Sequence, residues 1–400
     1  MKILILCNKV PYPANDGSTI AMASMIDGLM ANNAEVHALC FNTAKHFRDD
    51  QLIAKHKPDQ LRLKYTFLDN RIKPLGVLRN LFEKNAFQVS RFRDKRFTQM
   101  LESEIATHDY DLIQLEGLTM AVYLNSIRQM TGARVVLRAH NVEYQIWQRH
   151  LEAEKNPLKR AYLNLQNKRL KKFEEAVSYE VDAIVSITDE DLQQFRRIQP
   201  SKVAISIPCG IKLEHYPPCA EGQKEYDLVY IASFDWLPNQ QGIRWFLREV
   251  WPLLTDRRPS IRFRLGGRNM PVDLREQADK NLSVETAVND MREFMCSGKL
   301  AVVPLLAGSG MRIKILENMA LGICQVTTRV GAEGIDAKPG EDIIIADEAE
   351  EMAAAILSLL DTPQRIGQIG LQARQAAISK YANDSLGRKL VEFYETEVCI

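Results

Sequence analysis

At 400 residues, the chain is too long for one ordinary hydrophobic core and predicts about two domains, and with nearly half of its residues apolar and a quarter charged it has the balance of a soluble globular protein. Formal net charge is +1, which gives no reason to expect a nucleic-acid partner, although the first half is mildly basic and the second mildly acidic. The seven cysteines are widely spaced, odd in number and without a CxxC, a pattern that predicts neither a disulfide framework nor a zinc site and fits a reduced cytoplasmic setting. The apolar run at the start is too short for a signal peptide, and no window of about 18 apolar residues exists.

In chain order, residues 2–7 (KILILC) read as a buried parallel strand, followed by a turn at 11–17 and a helix from Ser18 to Met30 with Ile20, Met22, Met25, Ile26 and Leu29 at helical spacing. EVHALCF is the next strand, completing a βαβ unit. Further strands are predicted at 111–115, 134–138, 183–187 and 203–207, with helices between most of them, which makes a doubly wound α/β domain. The polar stretch 215–226 reads as a linker. The alternation then restarts with strands at 227–232, 261–267, 299–305, 324–328 and 342–346 and a helix from Asn239 to Leu254, so a second domain of the same class is expected, with a cleft between the two. Residues 362–400 read as helical.

The densest chemical signal is AGSGMRIKILENMAL, residues 307–321: a strand end, a Gly-Ser-Gly loop, then a helix beginning near Met311. Glycines allow backbone N–H groups to approach a ligand, and a helix start attracts anions. Arg312 and Lys314 in the first turn are electrically wrong for that end, unless they face a stronger negative charge such as a diphosphate. Glu317, farther along the helix, either accepts from the hydroxyls of a ribose or pairs with Lys314. The loop 11–18 (PYPANDGS) also stands at a strand's carboxyl end, where Gly17 and Ser18 offer backbone N–H groups to a phosphate or sugar; it is neither a GxGxxG nor a Walker sequence. His140, in RAHNVEY, follows another strand end, where it is placed to bond a sugar hydroxyl or shuttle a proton, with Glu143 either a cleft carboxylate or a helix N-terminal acid.

Other signals are set aside. Asp109-Tyr110-Asp111 is a DxD, but Asp111 opens a strand at its amino end, away from the expected site, so no metal is predicted. There is no GxSxG for a hydrolase. Residues 71–97 hold Arg71, Lys73, Arg79, Lys84, Arg91, Arg93, Lys95 and Arg96 interleaved with apolar residues, and 159–172 is similarly basic. These are solvated helix faces or a surface for anionic lipid head groups or a lipid-linked diphosphate.

Taken together, YIASFDWLPNQQGIRWFLREVWP, VVPLLAGSGMRIKILENMALG and VTTRVGAEGI, with RAHNVEY, KKFEEAVSYEVDAIVSIT and IPCGIKLEHY before them, resemble in order the blocks of family 4 (group 1) of the retaining glycosyltransferases. The resemblance implies the GT-B fold, two Rossmann-like domains facing across a cleft. Residues 1–210 would form the acceptor side and 225–380 the nucleotide-sugar side, with 381–400 packing back on the first. It implies transfer of a sugar from a nucleotide diphosphate sugar, UDP ahead of GDP, to a glycan or lipid-linked acceptor in cell-surface polysaccharide or glycolipid assembly, with retention and without metal or other cofactor. The protein would then work in the cytoplasm, at the inner face of the membrane.

On this resemblance, His140 is the catalytic residue near the transferred sugar. Gly17, Ser18, Gly310, Met311, Arg312 and Lys314 meet the donor diphosphate, Gly308 and Ser309 the donor sugar, Glu317 the ribose, and Gly266 and Gly267 the nucleobase region. Two departures stand out: Ser309 occupies the place of the first glutamate of the family's E-x7-E motif, and Asp235 to Asn239 stands where a basic pair usually follows the second domain's first strand. A sugar-nucleotide epimerase, a catalytically silent sugar-nucleotide-binding protein and, with less support, an NAD-dependent dehydrogenase are the alternatives.

Overall fold

A computed structural model describes residues 1–399 except Lys73, Glu221, Gln223 and Ser309; the side chains of Pro74, Leu75 and Ala153 are outside the description as well. The polypeptide divides into two units, Met1–Gly210 with Asn383–Ile400, and Ile211–Ala382.

In the first unit the strands are β1 (Lys2–Cys7), β2 (Glu35–Thr43), β3 (Arg62–Leu68), β4 (Leu112–Glu116), β5 (Arg134–Ala139), β6 (Ala183–Ser186) and β7 (Val203–Ser206). They form one sheet in the order β3-β2-β1-β4-β5-β6-β7, with every described pairing parallel. A central parallel strand is covered on both faces, which is why β1 is a run of aliphatic residues with Ile3, Leu4, Ile5 and Leu6 fully buried. β3 was not expected from the sequence. It lies at the sheet edge, where half-exposed RLKYTFL shows no continuous apolar run.

The second unit repeats the plan with β8 (Tyr226–Ser233), β9 (Phe263–Arg268), β10 (Leu282–Glu285), β11 (Gly298–Val303), β12 (Gln325–Thr327) and β13 (Ile344–Ile345), ordered β10-β9-β8-β11-β12-β13. β10, another edge strand, was also missed. Both orders step outward from the first strand and then reverse, so each unit has a switch point where ligands of such sheets bind, beyond β1 and β4 in one and beyond β8 and β11 in the other. These are the Rossmann-like doubly wound α/β units that the sequence pattern predicts.

Some boundaries differ. The helix expected at 239–254 is Leu237–Trp245, a π-helical turn at Phe246–Val250, and Trp251–Arg257. The helical tail is Pro363–Tyr381, Asn383–Phe393 and a π-helical turn at Tyr394–Val398. The larger correction concerns the cysteines: Cys219 and Cys296 form a disulfide across 77 residues, with Cα atoms 5.4 Å apart. It ties the stretch read as a free linker to the end of helix Met291–Cys296, within the second unit.

The helix Asn383–Phe393 packs on helix Gly17–Ala31 through two glycines. A Cβ at Gly387 would stand 2.2 Å from the Gly28 carbonyl oxygen, so the helices approach backbone to backbone. Beside this crossing the buried Ser24 hydroxyl lies 2.6 Å from Asn383 Oδ1 and 2.7 Å from the Gly210 carbonyl oxygen. Gly387→Ala is therefore expected to destabilise the first unit by roughly 1–3 kcal/mol, the usual penalty of overpacking, in urea denaturation. An unchanged midpoint would contradict this crossing.

Candidate functional site

In the second unit, β11 ends and the chain enters the glycine loop before helix Ile313–Leu321. Gly308 (φ +135°) and Gly310 (φ +76°) take backbone conformations closed to most side chains. Ser309 between them lies outside the described residues. The loop is held close to its neighbour because a Cβ at Gly242, in helix Leu237–Trp245, would stand 2.1 Å from the Pro304 carbonyl oxygen. Met311 is half-buried, Arg312 is the N-cap residue, and Lys314 follows in the first turn.

The unusual block after β8 explains how two cations sit at a helix start. Arg312 is buried, and its guanidinium lies over the Trp236 ring at 5.4 Å from the centroid. Its Nη1 also donates to the Gly310 carbonyl, and Glu333 Oε2 is 3.7 Å away. Lys314 Nζ donates to Asn239 Oδ1 at 2.9 Å and lies 4.9 Å from the centre of the Tyr230 ring. Asn239 is itself buried and fixed, donating to the Ser233 carbonyl at 2.8 Å. The block that lacks a basic pair thus supplies a clamp for each of two cations carried elsewhere. Burial pushes the Lys314 amine down to about 7, against the pull of Glu317. A lysine so depressed recovers its charge when an anion arrives.

Glu317 Oε1 accepts from the Tyr216 hydroxyl at 2.8 Å, across 101 residues of chain. Burial raises the Glu317 carboxyl above its ordinary range, although Tyr216 and Lys314 favour the ionised form. Gly266 and Gly267 lie within β9, just before its last residue, and both are buried. A Cβ at Gly267 would stand 1.9 Å from the Ala232 carbonyl oxygen, and one at Gly266 would stand 2.6 Å from the Phe294 ring. Packing accounts for this pair.

In the first unit, helix Gly17–Ala31 starts one residue earlier than expected, capped by Asp16. Asp16 Oδ1 accepts from the amides of Ser18 (3.1 Å) and Thr19 (3.0 Å) and pairs with Lys9 Nζ at 2.8 Å. The Ser18 amide is therefore already engaged, and a phosphate there has to compete with a carboxylate; Gly17 is exposed.

His140 follows β5, half-buried. Its Nε2 is 2.6 Å from Glu116 Oε2 at the end of β4. A carboxylate accepts, so Nε2 carries the proton and Nδ1 is the ring's other functional atom. Glu116 is fully buried, with Arg138 Nη1 at 3.2 Å. Burial alone would raise the Glu116 carboxyl, but Arg138 and His140 outweigh it and hold it below its ordinary value. Sequence reasoning missed Glu116; its signal was an acid closing an otherwise apolar strand. Glu143 is the first-turn acid of helix Glu143–Ala153, and its carboxyl is pushed up to about 7 by burial and Asp191.

Asp111 of the DxD accepts the Lys2 amide at 2.7 Å. Among the described residues, His37, Glu104 and His108 group their ligand atoms within 4.8 Å. This group does not suit a cation: Lys64 Nζ is 2.6 Å from Glu104 Oε2, and Arg62 Nη1 is 3.1 Å from His108 Nε2.

Residues 225–362 match the family model described as glycosyl transferases group 1. Over 376 residues, 89% of this chain and 90% of the relative, it is 21% identical to an uncharacterized 44.6 kDa protein in the cps region of Klebsiella pneumoniae. Solved structures share the fold over nearly the whole chain. Sucrose-phosphate synthase from Thermosynechococcus elongatus has a TM-score of 0.71 at 16% identity, covering 99% of this chain and 98% of its own. Anabaena HepE in complex with UDP has a TM-score of 0.69 at 13% identity, covering 99% and 100%. No helix among the described residues is long and apolar enough to cross a membrane.

Tyr216→Phe deletes a hydrogen bond to a buried carboxylate and is expected to cost about 1.5–3 kcal/mol. The hydroxyl supports the ionised form. The cost is therefore complete above the raised Glu317 pKa and shrinks as pH falls through it. Urea denaturation at several pH values checks this, and a cost independent of pH would show that Tyr216 serves packing instead.

Proposed function

We propose that this protein is a group 1 glycosyltransferase that moves a sugar from a nucleotide diphosphate sugar, UDP ahead of GDP, to a glycan or lipid-linked acceptor in cell-surface polysaccharide or glycolipid assembly. The observation that carries the reading is the clamped pair Arg312 and Lys314 at the start of a helix, behind a loop with two positive-φ glycines and one turn before Glu317. Two cations at a positive helix end are stable company for a diphosphate and poor company for each other. The UDP held by the structurally similar HepE supports the choice of nucleotide.

In this reading the Gly310 and Met311 amides, Arg312 and Lys314 hold the diphosphate, Gly308 and Ser309 border the sugar, and Glu317 accepts from the ribose hydroxyls. The C1–O bond to the β-phosphate breaks, the acceptor oxygen bonds to C1, and its proton passes to the leaving diphosphate. Charge that builds on that diphosphate meets preorganised cations, which supply the stabilisation a metal gives elsewhere. Acceptor attack on the face the diphosphate leaves gives retention, and the transition state resembles an oxocarbenium ion. His140, its Nε2–H fixed by Glu116, offers Nδ1 to the transferred sugar.

Isothermal titration with UDP is the direct test. Lys314→Ala and Arg312→Ala are each expected to weaken UDP by about 1.5–3 kcal/mol; unchanged affinity in both overturns the diphosphate assignment. Because UDP favours charged Lys314, affinity should fall above pH 7, approaching about tenfold per pH unit, and Lys314→Arg should flatten that slope. His140→Ala should slow transfer while UDP affinity stays nearly intact. Equal losses of both would place His140 elsewhere on the donor.

A further inference from the structure

One face of the first sheet is filled with aliphatic residues. Ile3, Ile5, Leu112, Val136 and Val185 are fully buried there, in one cluster with Ile26 and Leu390 of the two helices that meet at Gly28 and Gly387. Alternate residues of a strand point the same way, so Gln114 and Glu116 share the side of β4 that carries Leu112, and Arg138 shares the side of β5 that carries Val136. All three polar side chains are buried. In such a place they cost free energy that leucine or valine would not, and packing does not account for them.

Their hydrogen bonds run in one line toward His140. Tyr394, in the turn Tyr394–Val398, is fully buried, and its hydroxyl donates to Gln114 Oε1 across 280 residues of chain. Gln114 Nε2 donates to Glu116 Oε1 at 2.6 Å, with Met25 Sδ at 3.3 Å as a weaker acceptor. Glu116 Oε2 meets His140 Nε2 at 2.6 Å and Arg138 Nη1 at 3.2 Å.

The carboxylate decides the direction of these bonds, because it only accepts. Gln114 therefore turns its nitrogen to Glu116 and its oxygen to Tyr394. Burial raises the Tyr394 phenol, which keeps the proton that it donates. Without that hydroxyl, Gln114 Oε1 would be buried with no donor in the one orientation that serves Glu116.

Arg138 pulls the other way. Its Nε is buried and, among the described residues, has no hydrogen-bond partner. A guanidinium in that state favours a carboxylate turned to meet it with both oxygens. Gln114 holds Oε1 and opposes the turn, so that Oε2 stays on His140.

We propose that Gln114, anchored by Tyr394, is a positioning residue that holds Glu116 on His140 against Arg138, leaving Nδ1 free for the transferred sugar. The proposal rests on the role given to His140 in the proposed function. It adds that the carboxy-terminal segment takes part in aiming that ring from inside the sheet.

The test reads the tautomer directly, by long-range nitrogen–proton NMR of the labelled full chain in mildly alkaline buffer. The His140 signals are assigned by their loss in His140→Ala. The native chain should show a proton on Nε2 alone; two tautomers there would overturn the proposal. A neutral imidazole without a fixed partner populates both forms. Gln114→Leu should therefore bring up a second His140 signal set with Nδ1 protonated, and Tyr394→Phe the same set to a smaller extent. Gln114→Leu with Nε2 alone protonated would overturn the role of Gln114, and Tyr394→Phe with the native tautomer would overturn the anchor. A lowered urea midpoint in both variants with the tautomer unmoved would make the row structural only, and the proposal would fall. Calorimetry of the native chain with UDP separates the two readings: no UDP binding, with the tautomer results as expected, removes the donor reading and leaves the positioning row standing.

Discussion

Asn239 holds Lys314, and much of the second unit's candidate site depends on that contact. The amide oxygen accepts from the amine at 2.9 Å, while its nitrogen is spent on the Ser233 carbonyl at the end of β8. An amide anchored this way cannot turn aside. It keeps an amine at a helix start, where the helix field and the nearby Arg312 both oppose positive charge. Trp236 does the same for Arg312 with the face of its ring. The loop after β8 and the loop after β11 therefore act as one device, even though the chain builds them about seventy residues apart.

The first unit meets a related demand differently. Glu116 and Arg138 are neighbours in the register of β4 and β5, and both side chains are removed from solvent. Their pairing offsets the desolvation that either would suffer alone, and it presents a carboxylate oxygen to His140. The Glu116 oxygen at the end of β4 thus sets the histidine's tautomer.

Much of this architecture was legible in the sequence because central parallel strands write themselves as aliphatic runs. KILILC folds as read, and KLAVVPL forms β11 as far as Val303. β3 and β10 escaped because an edge strand has one side left to water and carries RLKYTFL or LSVE instead. Among the candidate residues, the cations, glycines and Glu317 stood in one contiguous block and were visible as a block. Their partners were not. Tyr216 meets Glu317 across 101 residues, and Cys219 meets Cys296 across 77; no local spacing marks either pair. Asn239 was visible as a departure from the family pattern, but its purpose required knowing which side chain it touches.

The return of helix Asn383–Phe393 to the unit that contains the amino terminus has a consequence for biosynthesis. Ile211 and Ala382 stand side by side as a parallel bridge, so the second unit begins and ends at one spot. As the chain leaves the ribosome, this interior unit can close as soon as its own residues have emerged. The unit that holds residues 1–210 must wait with the Gly28 face of helix Gly17–Ala31 uncovered until helix Asn383–Phe393 has been made. Domains usually mature in the order of their synthesis; in this chain the later one can finish earlier.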